Sequence, residues 1–147
     1  IKALVRIKMG FQKQLVLGNL DSRRDWGHAR DYVEVMWKIL QQKKPDDYVI
    51  ATGKQYSIRQ FVNFVAKKLN MKIAWKGKGL NEKGYDLLNK KNIILVDKNY
   101  IRPLDVNTLL GNAAKARREL KWKPQTNIHT LINEMITEEM NILSNDQ

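Results

Sequence analysis

Amphipathic helical patterns alternate with short apolar runs along the 147 residues of this chain. The clearest helix begins at Ser57, which is followed three residues later by Gln60, the spacing of a capping box. The apolar face of this helix comprises Ile58, Phe61, Val62, Val65 and Leu69. Because each amphipathic helix needs a surface on which to bury its apolar side, the alternation predicts an α/β fold.

The same patterns predict the other elements. Gly10 is expected to end a first helix, and Asp31 to cap a second that runs to about Gln42. That second helix carries Val33, Met36, Trp37 and Leu40 on one stripe. Two more helices are predicted over residues 113–120 and 128–143, and strands over 14–18, 47–53, 72–75 and 92–97. Residues 76–92, rich in glycine and lysine, are predicted to form a loop rather than a linker between domains.

Composition limits the classes of function. The formal net charge of +12 favours a polyanionic partner, whether nucleic acid, an acidic surface or a phosphorylated small molecule. The paired lysines are scattered over different elements and no nucleic-acid-binding motif accompanies them, so we expect no nucleic acid. The chain has no cysteine, and His28 and His129 are far apart, so no metal site is predicted. No apolar run is long enough for a membrane span and no signal peptide is recognisable, which predicts a cytoplasmic protein without membrane contact.

Two arginines are the main candidates for binding a phosphorylated ligand. Arg24 lies in "LGNLDSRRDWGHARDYV", and Arg102 lies in "YIRPLDV", three residues before Asp105. The planar guanidinium group matches phosphate oxygens with paired donors and stays charged, while a carboxylate can accept from ribose hydroxyls. From the residues alone, the spacing is also that of a surface ion pair between Arg102 and Asp105, as most charged residues of a basic protein lie on the solvated surface.

The sequence contains no sign of catalytic machinery. It has no glycine-rich turn of the dinucleotide-binding type. It also lacks a Tyr-x-x-x-Lys pair, since Tyr32 is followed at four residues by Met36, and Tyr56 by Gln60. We therefore predict neither catalytic nor cofactor-binding residues in this chain.

Four stretches together resemble the C-terminal half of the GDP-mannose 4,6-dehydratases, which belong to the extended short-chain dehydrogenase/reductase family. They are "LGNLDSRRDWGHARDYV", "YVIATGKQYSIRQFV", "YIRPLDVNTLLGN" and "KARRELKWKPQT". The resemblance implies that residues 1–147 form the C-terminal nucleotide-sugar-binding portion of that fold. It further implies that some segments return to a Rossmann sheet whose N-terminal core is absent from this chain. The start at Ile1, without an initiator Met, fits a piece of a longer protein.

The resemblance also implies an activity for the intact protein. Such enzymes bind NADP in the N-terminal Rossmann domain and eliminate water from GDP-mannose, giving GDP-4-keto-6-deoxymannose on the route to GDP-fucose. A homo-oligomer is expected. The residues that perform the chemistry precede the region covered by this chain. If the Rossmann core is absent, exposed apolar faces are expected on what remains.

Site residues follow from the resemblance position by position. Arg24 and Arg102 are implied to contact the diphosphate, and Asp105 the ribose. Leu15 and Leu17, in the strand "LVLG", are implied to face the nucleobase, although they could equally be core leucines. The family usually has glutamate where this chain has Asp105, and related epimerases have aspartate. Another nucleotide-sugar dehydratase or epimerase is therefore the first alternative, and a basic nucleic-acid-binding module, supported by charge alone, is the second.

Overall fold

Helices and strands alternate in a computed structural model, which describes residues 1–102, 104, 106 and 108–145. The helices are α1 (Lys2–Lys8), α2 (Ala29–Leu40), α3 (Ile58–Lys68), α4 (Ala114–Glu119) and α5 (Ile128–Asn145). The strands are β1 (Leu15–Leu17), β2 (Arg23–Arg24), β3 (Tyr56–Ser57), β4 (Ile73–Lys76), β5 (Lys83–Asp86) and β6 (Lys91–Val96). The predicted α/β class is confirmed.

The main sheet has the strand order β1-β6-β5-β4. β1 and β6 are parallel and pair Leu17 with Val96, whereas β5 is antiparallel to both of its neighbours. Because β1 and β6 are parallel, their carboxyl ends meet at the same edge of the sheet. A separate antiparallel pair joins β2 to β3 and places Arg24 opposite Tyr56.

The predicted loop over residues 76–92 is wrong in its central part, which forms β5. Gly77 and Gly79 adopt positive φ in the turn that precedes this strand. The carboxylate of the buried Asp86 then accepts from the Leu88 amide and the Asn89 side chain and shapes the turn into β6. β5 contains no apolar run, because its buried positions are Gly84 and Asp86, so its sequence resembles that of a loop.

The predicted strand over residues 47–53 is also wrong. The two backbone amides of Thr52 and Gly53 donate to the Asp25 carboxylate rather than to a neighbouring strand. Ala51 meanwhile packs in a buried cluster with Val35 and Trp122. This stretch is therefore a loop that the Asp25 side chain holds in place, with Ala51 buried and Val49 exposed.

Two buried clusters hold the structure together. The first joins α1, α3 and α5 to the sheet, and its fully buried members include Leu4, Val65, Ile94 and Ile132. The second is smaller and comprises Val35, Ala51, Ala113, Ala116, Leu120 and Trp122. α2 and α4 meet in this second cluster.

Local signals predicted some helix ends and not others. The capping box at Ser57 and Gln60 is present. Gly10 has a φ of +84°, and the amides of Gly10 and Phe11 donate to the Ile7 and Arg6 carbonyls, which is a Schellman motif. The predicted cap at Asp31 is wrong, because His28 caps α2 and Asp31 lies in its first turn.

The apolar stripe predicted on α2 is present but faces outward. Val33, Met36, Trp37 and Leu40 have exposed fractions of 64%, 60%, 62% and 79%. The buried side of the helix is formed instead by Asp31 and Val35. The expectation of exposed apolar faces is therefore met on this helix. Within the described part of the chain, no helix is both long and apolar enough to cross a membrane.

This orientation of α2 predicts unequal effects of substitution on its two sides. Trp37→Gln should change the free energy of unfolding of this chain by less than about 0.5 kcal/mol, since the side chain is already in water. Val35→Ala should lower it by roughly 2 kcal/mol, since it opens a cavity. Urea unfolding followed by circular dichroism measures both. A loss above about 1.5 kcal/mol for Trp37→Gln would contradict the exposed orientation.

Candidate functional site

A cavity of about 270 Å³ lies at the carboxyl edge of the two parallel strands. It is lined by Leu17, Gly18, Asn19, Ser22, Arg24, Ile58, Tyr100 and Arg102. In open α/β sheets, ligands bind outside the carboxyl ends of the strands, where loops replace the ladder. Both arginines singled out in the sequence line this one cavity, although 78 positions separate them in the numbering.

Arg24 is held in place by backbone carbonyls. Its Nη1 donates to the Val106 carbonyl at 2.8 Å and to the Arg23 carbonyl at 2.7 Å. The side chain is half-buried, and the pairing of β2 with β3 fixes its backbone. Arg23, in contrast, is exposed. The orientation of the Arg24 guanidinium group is thus set before any ligand arrives.

Asp25 and Trp26 fix the backbone that follows Arg24. The Asp25 carboxylate accepts from the Thr52 hydroxyl at 2.6 Å, the Thr52 amide at 3.2 Å and the Gly53 amide at 2.9 Å. The Trp26 ring packs on Phe61 with their centroids 4.6 Å apart. These contacts connect the segment after Arg24 to the 52–53 turn and to α3.

His28 ties the start of α2 to α5. Its Nδ1 accepts from the Arg30 amide at 3.0 Å, and its Nε2 lies 2.9 Å from a carboxylate oxygen of Glu134. With Nδ1 accepting, the hydrogen lies on Nε2 and is donated to Glu134. His28 therefore caps α2.

Arg102 reaches the cavity from the segment that follows β6. Gly18 and Tyr100 pack so closely that a Cβ at position 18 would collide with the Tyr100 carbonyl. A residue without a side chain is therefore required where the end of β1 meets this segment. Asp105, the predicted ribose ligand, and the neighbouring Pro103 lie outside the described residues.

Leu15 and Leu17 differ in their relation to the cavity. Both side chains pack against the first buried cluster from β1. Among the described residues, the cavity lining includes Leu17 but does not include Leu15. Contact of either leucine with a nucleobase stays a prediction.

A second cavity of about 240 Å³ adjoins the first and shares Gly18 and Asn19 with it. Its other lining residues are Leu20, Asp21, Gly79, Leu80, Glu82, Val96 and Ile101. Together the two cavities reach the lower part of the range of about 300–1,000 Å³ that ligand sites occupy. A larger cavity of about 730 Å³ lies between the end of α1 and the start of β6, but neither predicted arginine lines it. We therefore place the candidate site at the carboxyl edge of the sheet.

A charged cluster behind the second cavity could not be found from sequence patterns. The Arg59 guanidinium group forms a two-pronged ion pair with Glu82, contacts Asp21 and lies over the ring of Trp75. Glu82 holds the pKa of Arg59 above its usual value. Glu82 and Asp21 are 23 and 38 residues from Arg59 along the chain, so no local sequence motif indicates the cluster. No group of three or more His, Cys, Asp or Glu suited to a metal ion occurs among the residues that the structure describes.

Two solved structures that share this fold hold a nicotinamide cofactor or a nucleotide sugar. RMD from Pseudomonas aeruginosa, complexed with NADPH, matches with a TM-score of 0.71 at 18% identity over 94% of this chain and 40% of that one. UDP-glucose 4-epimerase from Thermotoga maritima, with UDP-glucose, matches with a TM-score of 0.70 at 15% identity over 96% of this chain and 38% of that one. The fold is that of the extended short-chain dehydrogenase/reductase proteins, as predicted.

Sequence similarity identifies the family within this fold. A family model described as GDP-mannose 4,6 dehydratase matches residues 1–135. GDP-mannose 4,6-dehydratase of Sinorhizobium fredii is 45% identical over 97% of this chain, and GDP-mannose 4,6 dehydratase 2 of Caenorhabditis elegans is 42% identical over 99%. The chain belongs to the GDP-mannose 4,6-dehydratase family. It spans about two fifths of the length of these relatives, 40% and 38% respectively.

Proposed function

We propose that this chain forms the GDP-sugar-binding part of an NADP-dependent GDP-mannose 4,6-dehydratase. The proposed enzyme is a lyase that converts GDP-mannose to GDP-4-keto-6-deoxymannose with loss of water. The observation that carries the proposal is the convergence of Arg24 and Arg102 on one cavity at the carboxyl edge of the sheet. Membership of the family gives that cavity its proposed ligand. A cytoplasmic location and a homo-oligomeric state stay predictions from the sequence.

The proposed role of the two arginines is electrostatic. Two guanidinium groups facing a single cavity favour a ligand with paired negative groups, such as a nucleoside diphosphate. The Arg24 guanidinium group is pre-oriented by the Val106 and Arg23 carbonyls, so little conformational entropy is lost when a phosphate binds. Asp105 is proposed to accept from the ribose hydroxyls.

Catalysis is assigned to residues outside this chain. The sequence carries no glycine-rich turn to cradle a dinucleotide and no Tyr-x-x-x-Lys pair. NADP would supply reversible hydride transfer when bound, and none of the residues of this chain is given a part in that transfer. The proposed contribution of the chain is to hold the GDP group and so position the mannose ring for a reaction that other residues perform.

Calorimetric titration of the chain with GDP-mannose, beside UDP-glucose, tests this proposal. We expect saturable binding of GDP-mannose at moderate salt and weaker binding of UDP-glucose. Arg102→Ala should weaken GDP-mannose binding by about tenfold, because one charge-assisted contact to the diphosphate is lost. Loose and equal binding of both sugars, falling steeply with salt, would instead indicate a general polyanion surface. No binding by a chain that circular dichroism shows to be folded would contradict the proposal.

A further inference from the structure

We propose that Arg59 and Glu82 are positioning residues that set the affinity of the nucleotide cavity without touching the ligand. The proposal rests on the proposed function, since the ligand whose affinity they set is the GDP group. Neither residue lines the cavity that contains Arg24 and Arg102. Arg59 instead contacts the turn between β1 and β2, whose residues form one wall of that cavity, and Glu82 holds the Arg59 side chain.

The turn is attached to the start of α3 by its backbone. The Ile58 amide donates to the Ser22 carbonyl at 3.1 Å, and the Arg59 amide donates to the Leu20 carbonyl at 2.9 Å. These two amides belong to the first turn of the helix, where no carbonyl within the helix is available to accept from them. The cavity wall at Ser22 is thus docked on the N-terminus of α3.

The Arg59 side chain adds a second attachment. One guanidinium nitrogen, Nη2, donates to Asp21 at 3.0 Å and to Glu82 Oε2 at 3.0 Å, and Nη1 also pairs with Glu82. The guanidinium carbon lies 4.8 Å from the centroid of the Trp75 ring. A single cation therefore links α3, the turn at Asp21, the segment at Glu82 and strand β4.

Glu82 is the partner on which this link depends. Its side chain is 13% exposed and that of Arg59 is 23% exposed, whereas Asp21 is 79% exposed. A two-pronged contact between partly buried groups is strong and directional, while an exposed ion pair contributes little. Removing either Arg59 or Glu82 leaves the other charge without its main partner in a partly buried place, so the segment that carries it must move.

The affected segments form the walls of both cavities. Glu82 and Asp21 line the second cavity together with Gly18 and Asn19, and these last two residues also line the cavity with the two arginines. Loss of Glu82 releases the Arg59 guanidinium group, which also holds Asp21, so the effect passes through Asp21 to the adjoining wall at Gly18 and Asn19. The ion pair acts through this wall, which makes it a positioning element rather than a ligand contact.

A double-mutant cycle on the 147-residue chain tests the proposal. The dissociation constant for GDP is measured by calorimetry for the unchanged chain, Arg59→Met, Glu82→Gln and the double variant. Each single variant should weaken GDP binding by roughly tenfold. The double variant should bind no more weakly than either single one, because the two residues act as one unit.

Two control variants separate positioning from loss of stability. Ile132→Val, at a fully buried position of the first cluster, should lower the free energy of unfolding without changing the affinity for GDP. Lys115→Met removes an ion pair with Asp46 that lies outside both cavities, and it should also leave the affinity unchanged. Unaltered GDP binding by Arg59→Met and Glu82→Gln, or losses that multiply in the double variant, would overturn the proposal. If the unchanged, folded chain does not bind GDP, the proposed function fails and this inference fails with it.

Discussion

Arg24→Ala should weaken the binding of GDP-mannose to this chain by about a hundredfold, more than any other substitution in the cavity. The substitution removes a charge-assisted contact to the diphosphate. It also removes the hydrogen bonds from Nη1 to the Val106 and Arg23 carbonyls, the first of which connects the segment that follows Arg102 to β2. The loss therefore combines a missing phosphate partner with a displaced cavity wall.

Arg23 offers a matched control for this prediction. It is the neighbouring residue of the same type, but its side chain is exposed and outside the cavity lining. Arg23→Ala should change the affinity by less than about twofold, since exposed charges are screened by salt. Arg24→Lys should give an intermediate loss, because an ammonium group keeps the charge but lacks the planar pair of donors. Equal losses in Arg23→Ala and Arg24→Ala would show that only general positive charge is recognised.

The sequence predicted those parts of the fold that depend on neighbouring residues. The helix after Ser57 was predicted correctly because its cap and its apolar face lie within a few residues of each other. The Schellman end of α1 at Gly10 has the same local origin. Strands β1, β4 and β6 were also predicted, since each contains a short apolar run.

The wrong predictions have a common physical cause: at these positions, contacts with residues distant in the sequence determine the local structure. β5 has no apolar run and is a strand only because β4 and β6 lie on either side of it. The stretch 47–53 has an apolar run, but Asp25 accepts from its amides, so it forms no ladder. The helical periodicity correctly predicted the apolar stripe of α2, but periodicity carries no information on whether a stripe faces the core or the solvent, and this one faces the solvent. The two arginines of the site were candidates from their chemistry and received a diphosphate role from the resemblance, while the cluster around Arg59 was found only in the structure.

Asp31→Ala should lower the free energy of unfolding of this chain by about 3–4 kcal/mol. The residue was predicted to cap α2. Its buried carboxylate instead accepts hydrogen bonds from the segment between α4 and α5. Oδ2 accepts from the Gln125 amide at 3.1 Å and the Thr126 amide at 2.9 Å, and the Asp31 carbonyl accepts from the Trp122 indole at 3.0 Å. Alanine keeps the carbonyl but leaves both amides without their acceptor in a partly buried place, and it removes a negative charge from the first turn of a helix.

Chemical unfolding in urea, followed by circular dichroism, measures this loss, and two variants locate its origin. Asp31→Asn keeps an oxygen that can accept from the two amides and loses only the charge, so it should cost roughly half as much. Asp46→Ala removes an exposed carboxylate and should cost less than about 0.5 kcal/mol. If Asp31→Ala costs no more than Asp46→Ala, the connection between α2 and the segment before α5 does not hold the structure together. A large loss would instead show that one buried carboxylate orders the segment between α4 and α5.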